Sequence, residues 1–151
     1  MGNLNEKSIK TLFLLFYSCI IMRQDIYKVH IQDNLYFLVF HKKLIKGFGS
    51  AVSLYINNYE FLKFDCFGEN KGHYHFYDNN TNDEIFFNEK TCEEQINRTC
   101  DLMKDINVFI NKSNRIDIKN FKIDMNNFVN KIDDIRNKML EYEHKFYSLL
   151  R

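Results

Sequence analysis

Short apolar runs broken by asparagine, aspartate and glycine fill the first half of the chain, and apolar positions three or four residues apart fill its last third. Between residues 33 and 88, the segments DNLYFLVFHKKL, SAVSLYIN, NYEFLKFDCF, GHYHFYD and DEIFFN are rich in β-forming residues. Asn57 and Asn58 tolerate a positive φ at one turn, and residues 78–83 predict another. Gly47 and Gly49 predict a turn or bulge. We predict an antiparallel meander of about five strands.

The spacing of apolar residues changes after Asn88, where helical periodicity begins. Thr91 and Glu94 form a capping box, which predicts the start of a first helix. The apolar positions of this helix are Cys92, Ile96, Cys100, Met103, Ile106 and Ile110. Asp124 is the predicted N-cap of a second helix, and the connector RIDIKNFKI is a candidate for a short edge strand. Strands followed by helices predict an α+β fold with two C-terminal helices packed on one face of the sheet.

The second predicted helix carries an apolar seam with a mean spacing of about 3.5 residues, which is typical of a helix lying along another helix. The seam consists of Met125, Phe128, Ile132, Ile135, Met139, Tyr142, Phe146 and Leu149. From Asp124 to Leu150 the helix is about 40 Å long, more than a domain of this size needs. Its last turns, at Met139, Tyr142, Phe146 and Leu149, are therefore candidates for contact with a protein partner or a second copy. The alternative is that the whole seam packs inside the domain.

Residues 1–22 are set apart from a single predicted domain over residues 23–151. Lys7 and Lys10 precede the apolar run LFLLFYSCIIM, which has the order of a secretory signal but is too short to span a membrane. Arg23 follows directly, and no small-residue cleavage site is present. The segment is therefore interpreted as an extension upstream of a start at Met22 or as a short docked helix. Export or membrane tethering through residues 7–22 is the alternative.

Composition narrows the classes of protein that fit this chain. With 151 residues and 45% hydrophobic residues, it is long and apolar enough to bury a core of its own. A formal net charge of +1 gives no overall field that attracts nucleic acid, so a nucleic-acid partner is not expected. The four cysteines lack the spacing of a disulfide framework, which favours a reducing, cytoplasmic location.

Candidate chemistry is concentrated in one predicted hairpin, KFDCFGENKGHYHFYD, at residues 63–78. With GENKG as its loop, Asp65 pairs with His75 and Cys66 pairs with Tyr74. Side chains alternate across a strand, so Cys66 points into the core while Asp65, His73 and His75 share the opposite face.

Two imidazoles beside a carboxylate resemble the beginning of a metal site or an acid–base pair. A zinc site needs a further ligand or an open position, and His30, His41 and Glu60 are the candidates elsewhere in the chain. The alternative is a plain Asp–His contact surface without a cofactor. The chain has no phosphate-binding glycine loop, G-x-S-x-G, H-E-x-x-H or paired C-x-x-C motif, so no catalytic residue is expected.

The sequence of this hairpin also resembles that of a known protein family. The pattern L-x-F-D-C-F-G at residues 62–68 with G-H-Y-H at residues 72–75, together with EEQINRTCDLMKDI and KMLEYE, resembles a family of small bacterial proteins without an assigned activity. The resemblance covers residues 35–142. It implies a bacterial or phage setting and a recurrent hairpin, and it carries over no catalytic residue.

The function expected from the sequence is a small, non-catalytic binding module that contacts another protein or itself, with no cofactor. One alternative is a metal-dependent or acid–base enzyme that uses Asp65, His73 and His75, with zinc or another divalent metal as cofactor. The other alternative is an exported protein with an N-terminal signal.

Overall fold

Six consecutive strands form one antiparallel sheet in which every strand pairs with its neighbours in sequence. A computed structural model describes residues 23–44 and 47–148, and the predictions for residues 1–22 and for Leu149 lie outside this part. The strands are β1 (Arg23–Gln32), β2 (Leu35–Leu44), β3 (Gly47–Ile56), β4 (Tyr59–Cys66), β5 (His73–Asp78) and β6 (Thr81–Phe86). The predicted antiparallel meander is confirmed, with one strand more than expected.

Asparagines occupy three of the tight turns in the described part of this meander. Asn57 and Asn58 have φ angles of 52° and 61°, as their place in the sequence predicted, and Asn34 and Asn79 adopt 61° and 45° at two other turns. Asparagine enters the left-handed region more easily than most residues. The turns therefore explain the position of several asparagines in this asparagine-rich chain.

The additional strand is β1, which sequence reasoning missed. Its alternation is regular only in its second half, where Val29 and Ile31 are buried. Near its start, Asp25 has a φ of 53° and the pairing with β2 is irregular between Gln24 and Tyr27. This bulge interrupts the period-two pattern by which a strand is recognised.

Helices follow the sheet, as predicted: α1 (Cys92–Lys104), α2 (Ile106–Lys112), α3 (Ile116–Lys119) and α4 (Met125–Ser148). The capping box of Thr91 and Glu94 is confirmed at the start of α1. The Oδ1 atom of Asp124 accepts a hydrogen bond from the backbone N–H of Asn127 at 3.1 Å, which confirms the N-cap of α4. The first predicted helix is divided at Asp105, and the connector expected to form an edge strand contains the short helix α3 instead.

Helices α1 and α4 pack on the same face of the sheet. Phe128 of α4 lies 5.4 Å from Phe37 of β2, measured between ring centroids, and Thr99 of α1 contacts the Cys66 thiol at 3.5 Å. Cys66 is completely buried here, as its predicted inward orientation requires. The apolar residues between these layers form the core of the domain.

The predicted seam of α4 faces this core. Met139 and Tyr142 are buried within the domain, and the ring of Phe146 stacks on His41 with 3.8 Å between centroids. Met139 and Tyr142 are thus occupied by internal packing, which is the alternative that the sequence left open. Self-association through the end of α4 stays a prediction.

Gly47 and Gly49 were expected at a turn or bulge between strands. Gly47 is the first residue of β3 and pairs with Leu44 at the end of β2, whereas Gly49 lies inside β3. A Cβ atom on Gly49 would approach the carbonyl oxygen of Cys66 to 2.3 Å. Glycine is required there because the backbones of β3 and β4 come too close for a side chain.

Candidate functional site

The β4–β5 hairpin sets the register of the candidate site. Asp65 pairs with His73 and Lys63 pairs with His75, so the predicted pairing of Asp65 with His75 is wrong by two residues along β5. A shift of two residues leaves every side chain on its predicted face. The predicted grouping of Asp65, His73 and His75 on one face is therefore what the structure has.

The register differs because the connection between the strands is longer than GENKG alone. Phe67 leaves β4 and packs against the backbone of Gly47 and Gly49, and Gly68 adopts a φ of 84°. The buried Gln95 side chain of α1 then hydrogen-bonds both the N–H and the carbonyl of Gly68 at 2.9 Å. These contacts end β4 at Cys66, so the loop runs over residues 67–72.

Asp65 is the centre of the site, and its side chain is completely buried although it lies on the face opposite the helices. Its Oδ2 atom is 3.2 Å from Lys42 Nζ, 3.4 Å from His73 Nε2 and 3.9 Å from His75 Nε2. Burial opposes ionisation, but the contact with His73 and the charge of Lys42 outweigh it and lower the pKa of Asp65. The site therefore contains a buried carboxylate whose ionised form is favoured by its neighbours.

His73 is held by the backbone at one nitrogen and by carboxylates at the other. Its Nδ1 atom lies 2.7 Å from the carbonyl oxygen of Lys71, which can only accept, so Nδ1 carries the hydrogen. Its Nε2 atom faces Asp65 and, also at 3.4 Å, the Oε1 atom of Glu84. Burial of the ring is outweighed by the contacts with Asp65 and the Lys71 carbonyl, and the pKa of His73 is raised.

His75 repeats this arrangement one step along β5. Its Nδ1 atom lies 2.8 Å from the side-chain oxygen of Asn82, and its Nε2 atom is turned toward Asp65. Burial lowers the pKa of His75, with Lys63 and His73 adding to the effect and the Asn82 hydrogen bond opposing it. His75 is therefore the more weakly basic of the two imidazoles.

These three side chains lie close enough together that they could hold a metal ion. One ligand atom from each of Asp65, His73 and His75 lies within 4.8 Å of the others. Each histidine uses its Nδ1–H for an oxygen acceptor, which leaves both Nε2 atoms directed at the same carboxylate. Metal-binding histidines show this outer hydrogen bond almost always, because it fixes the ring and its tautomer. Lys42 is the competing partner of Asp65.

The further ligands suggested by the sequence lie elsewhere. His41 is on the face covered by helices, where it stacks on Phe146. Glu60 is engaged by Arg23 at 3.0 Å and by the Ser53 hydroxyl at 2.5 Å. His30 lies near the turn between β1 and β2.

Lys42 and Glu84 are the site residues that sequence reasoning missed. Their side chains reach the site across the sheet, Lys42 from β2 to β4 and Glu84 from β6 to β5. Only the pairing of all strands from β2 to β6 brings them there, and no local pattern in the sequence carries that information.

Aromatic rings and cationic side chains surround the cluster on the same face. Tyr36 and Tyr55 stack with 5.0 Å between centroids, and Lys28 lies 4.0 Å above Tyr36. Next to the cluster, His75 stacks on Tyr77 at 5.5 Å. The face thus combines amphipathic rings with positive charge.

Comparison with known proteins places the chain in a family. A family model described as a domain of unknown function, DUF7700, matches residues 32–139, which is more than half of the chain. The chain belongs to the DUF7700 family. The DUF7700 match includes the β4–β5 hairpin with Asp65, His73 and His75, and its description assigns no activity, as the resemblance of the hairpin implied. No curated protein and no solved structure matches the chain.

In the described part of the chain, no helix combines the length and the apolar character needed to cross a bilayer.

Proposed function

We propose that this DUF7700 domain is a non-catalytic binding module that holds a divalent metal ion on the sheet face opposite its helices. The ligands are Asp65, His73 and His75. The observation that supports it is the convergence of both Nε2 atoms on one buried carboxylate, with both Nδ1–H groups already hydrogen-bonded. Such an arrangement fixes the ligand atoms before an ion arrives.

Zinc is the metal that this ligand set suits best. Imidazole nitrogen and carboxylate oxygen are common zinc ligands, whereas calcium and magnesium prefer sites made of oxygen alone. Binding requires an Nε2 atom of His73 that carries no proton, and it requires that the Lys42 ammonium group leave Asp65. The metal therefore replaces a positive charge that the protein itself supplies.

The test is metal binding by the purified full-length protein after removal of metal with a chelator. Wild-type protein is expected to bind one equivalent of Zn²⁺, measured by calorimetry and by elemental analysis after desalting. His73→Ala and His75→Ala each remove one nitrogen ligand. Neither variant is expected to keep one equivalent of zinc after desalting.

His30→Ala is the matched control, because His30 is an exposed histidine of β1 outside the cluster. It is expected to bind zinc like the wild type. Binding that His30→Ala and His75→Ala weaken equally, or a wild-type protein that takes up no zinc, would contradict the proposal.

The opposite shifts of the pKa values of His73 and His75 favour a second candidate, an acid–base pair. The pKa of His73 is raised by its contacts with Asp65 and the Lys71 carbonyl and that of His75 is lowered by burial, which makes His73 the better proton donor and His75 the better acceptor. An acid–base pair requires no metal. A folded wild-type protein without zinc affinity would favour this candidate over the metal site.

Protein contact through the same face is a third role, which the ring-and-cation surface around the cluster supports. Tyrosine and cationic side chains are enriched at interfaces because they offer large contact areas with polar ends. Sedimentation velocity over a range of concentrations tests self-association. A single monomeric species at every concentration, with and without zinc, would restrict the role to contact with a different protein.

A further inference from the structure

The edge strand β6 is the least buried strand of the sheet. All six of its residues are exposed, and among the described strands it pairs with β5 alone. An edge strand of this kind gains little from apolar burial, so its attachment depends on the ladder with β5 and on side-chain contacts.

The side chains that attach β6 on the outer face belong to the two histidines of the proposed metal site. His75 Nδ1 contacts the side-chain oxygen of Asn82 at 2.8 Å. His73 Nε2 lies 3.4 Å from Glu84 Oε1, and its ring centroid lies 5.6 Å from that of Phe86. Both histidines therefore face β4 with Asp65 on one side and β6 on the other.

We infer that Glu84 is the fourth ligand of the metal and that the bound ion fastens the edge strand β6 to β4 and β5. The inference rests on the proposed metal-binding function. The ligand set then contains two nitrogens and two carboxylates, which is enough for a closed tetrahedral zinc site. The charge of Zn²⁺ is balanced by Asp65 and Glu84.

The position of Glu84 supports this role. It is paired with His75 in the β5–β6 register, on the same face as Asp65. Its side chain is 46% exposed and contacts the cluster only through His73, so it has the freedom to turn toward an ion between the other three ligands. Asp65 is fixed by burial, whereas Glu84 is the partly exposed carboxylate that turns inward to close the site.

Asp83 provides a matched control on the same strand. It carries the same charge one residue earlier, but its side chain lies on the opposite face, in a groove lined by Asp78 and Phe109. Glu84→Gln and Asp83→Asn therefore remove the same charge from β6, and only the first removes a proposed ligand.

The experiment measures two quantities on the full-length protein with Zn²⁺ as the only added ligand. Zinc affinity is measured by competition with a chromogenic chelator, and amide hydrogen exchange of residues 81–86 is measured by mass spectrometry with and without zinc. In wild-type protein and in Asp83→Asn, the β6 amides are expected to exchange at least about tenfold more slowly with zinc bound than without it. Glu84→Gln is expected to bind zinc at least about tenfold more weakly, since even the loss of an outer partner of a metal ligand has that effect, and to lose the added protection of β6 at zinc saturation.

The outcomes separate this inference from the proposed function. Zinc binding with equal affinity and equal β6 protection in Glu84→Gln and Asp83→Asn would overturn the role of Glu84 while leaving the three-ligand site intact. Zinc binding by wild-type protein that leaves the exchange of β6 unchanged would also overturn it. A wild-type protein that binds no zinc would overturn both.

Discussion

His41 is buried, and neither of its ring nitrogens has a hydrogen-bond partner in the part of the chain that the structure describes. It lies under the last turns of α4, where its ring stacks on Phe146. Burial lowers the pKa of His41 to about 4, with the charge of Lys43 lowering it and that of Asp25 opposing the change. A neutral imidazole in this place behaves as an apolar ring, whereas a charged one is disfavoured by burial.

We predict that this histidine makes the domain sensitive to acid. Because the folded pKa of about 4 lies below the ordinary value of 6.5, the unfolded chain takes up a proton first as the pH falls. The contribution of His41 is complete above pH 6.5 and declines by up to about 3 kcal/mol toward pH 4. Urea unfolding of wild type and His41→Leu between these pH values measures it. A free energy of unfolding that changes with pH by the same amount in both proteins would contradict this prediction.

Helix α1 and the β4–β5 loop are joined by one buried side chain, that of Gln95. Its amide accepts a hydrogen bond from the Gly68 N–H and donates to the carbonyls of Gly68 and Glu89, each at 2.9 Å. Gly72 leaves room for this amide, because a Cβ there would lie 1.9 Å from the Gln95 oxygen. The helix thus fixes the loop that sets the register of Asp65 and His73.

Gln95→Leu is expected to destabilise the domain by about 2–4 kcal/mol, because it leaves buried backbone groups of the loop without partners. Denaturant titration followed by circular dichroism measures the free energy of unfolding. The control is Asp101→Ala, an exposed position on the same helix, with an expected change within about 0.5 kcal/mol. Equal free energies of unfolding for the two variants would show that the Gln95 hydrogen bonds do not stabilise the domain.

The contacts of Gln95 with the β4–β5 loop also explain which features could be predicted from the sequence and which could not. The turns at Asn57 and Asn58 and the start of α1 at Thr91 depend on residues adjacent in the chain, and both predictions were correct. The hairpin register depends on Gln95, which lies 27 residues from Gly68, and no local signal reveals that contact. Strand alternation alone determines the face of Asp65 and its two histidines. Their grouping on one face was therefore predicted correctly although the register was not.

On the scale of the whole molecule, α4 bridges the strands farthest from the candidate site. At its start, the Asp124 backbone N–H donates to the Gln32 side chain at 2.8 Å, and near its end Lys145 pairs with Asp25 at 2.7 Å. Both contacts are with β1, so one helix secures this edge strand at each end. The opposite edge, β6, makes no hydrogen bond or ion pair with a described helix. Polar contacts with α4 therefore hold one edge of the sheet, and the other edge has no such contact with the described helices.

This asymmetry predicts the order in which the backbone opens. Strand β3 is central, pairs along its whole length with β2, and buries most of its side chains, so its amides are expected to exchange only on global unfolding. Strand β6 is expected to exchange orders of magnitude faster through local opening, and β1 at an intermediate rate because α4 holds both of its ends. Native-state hydrogen exchange of the metal-free protein, measured segment by segment, checks this order. Equal protection of β6 and β3 would mean that the free edge is stabilised by contacts other than the ladder with β5 and the two histidines.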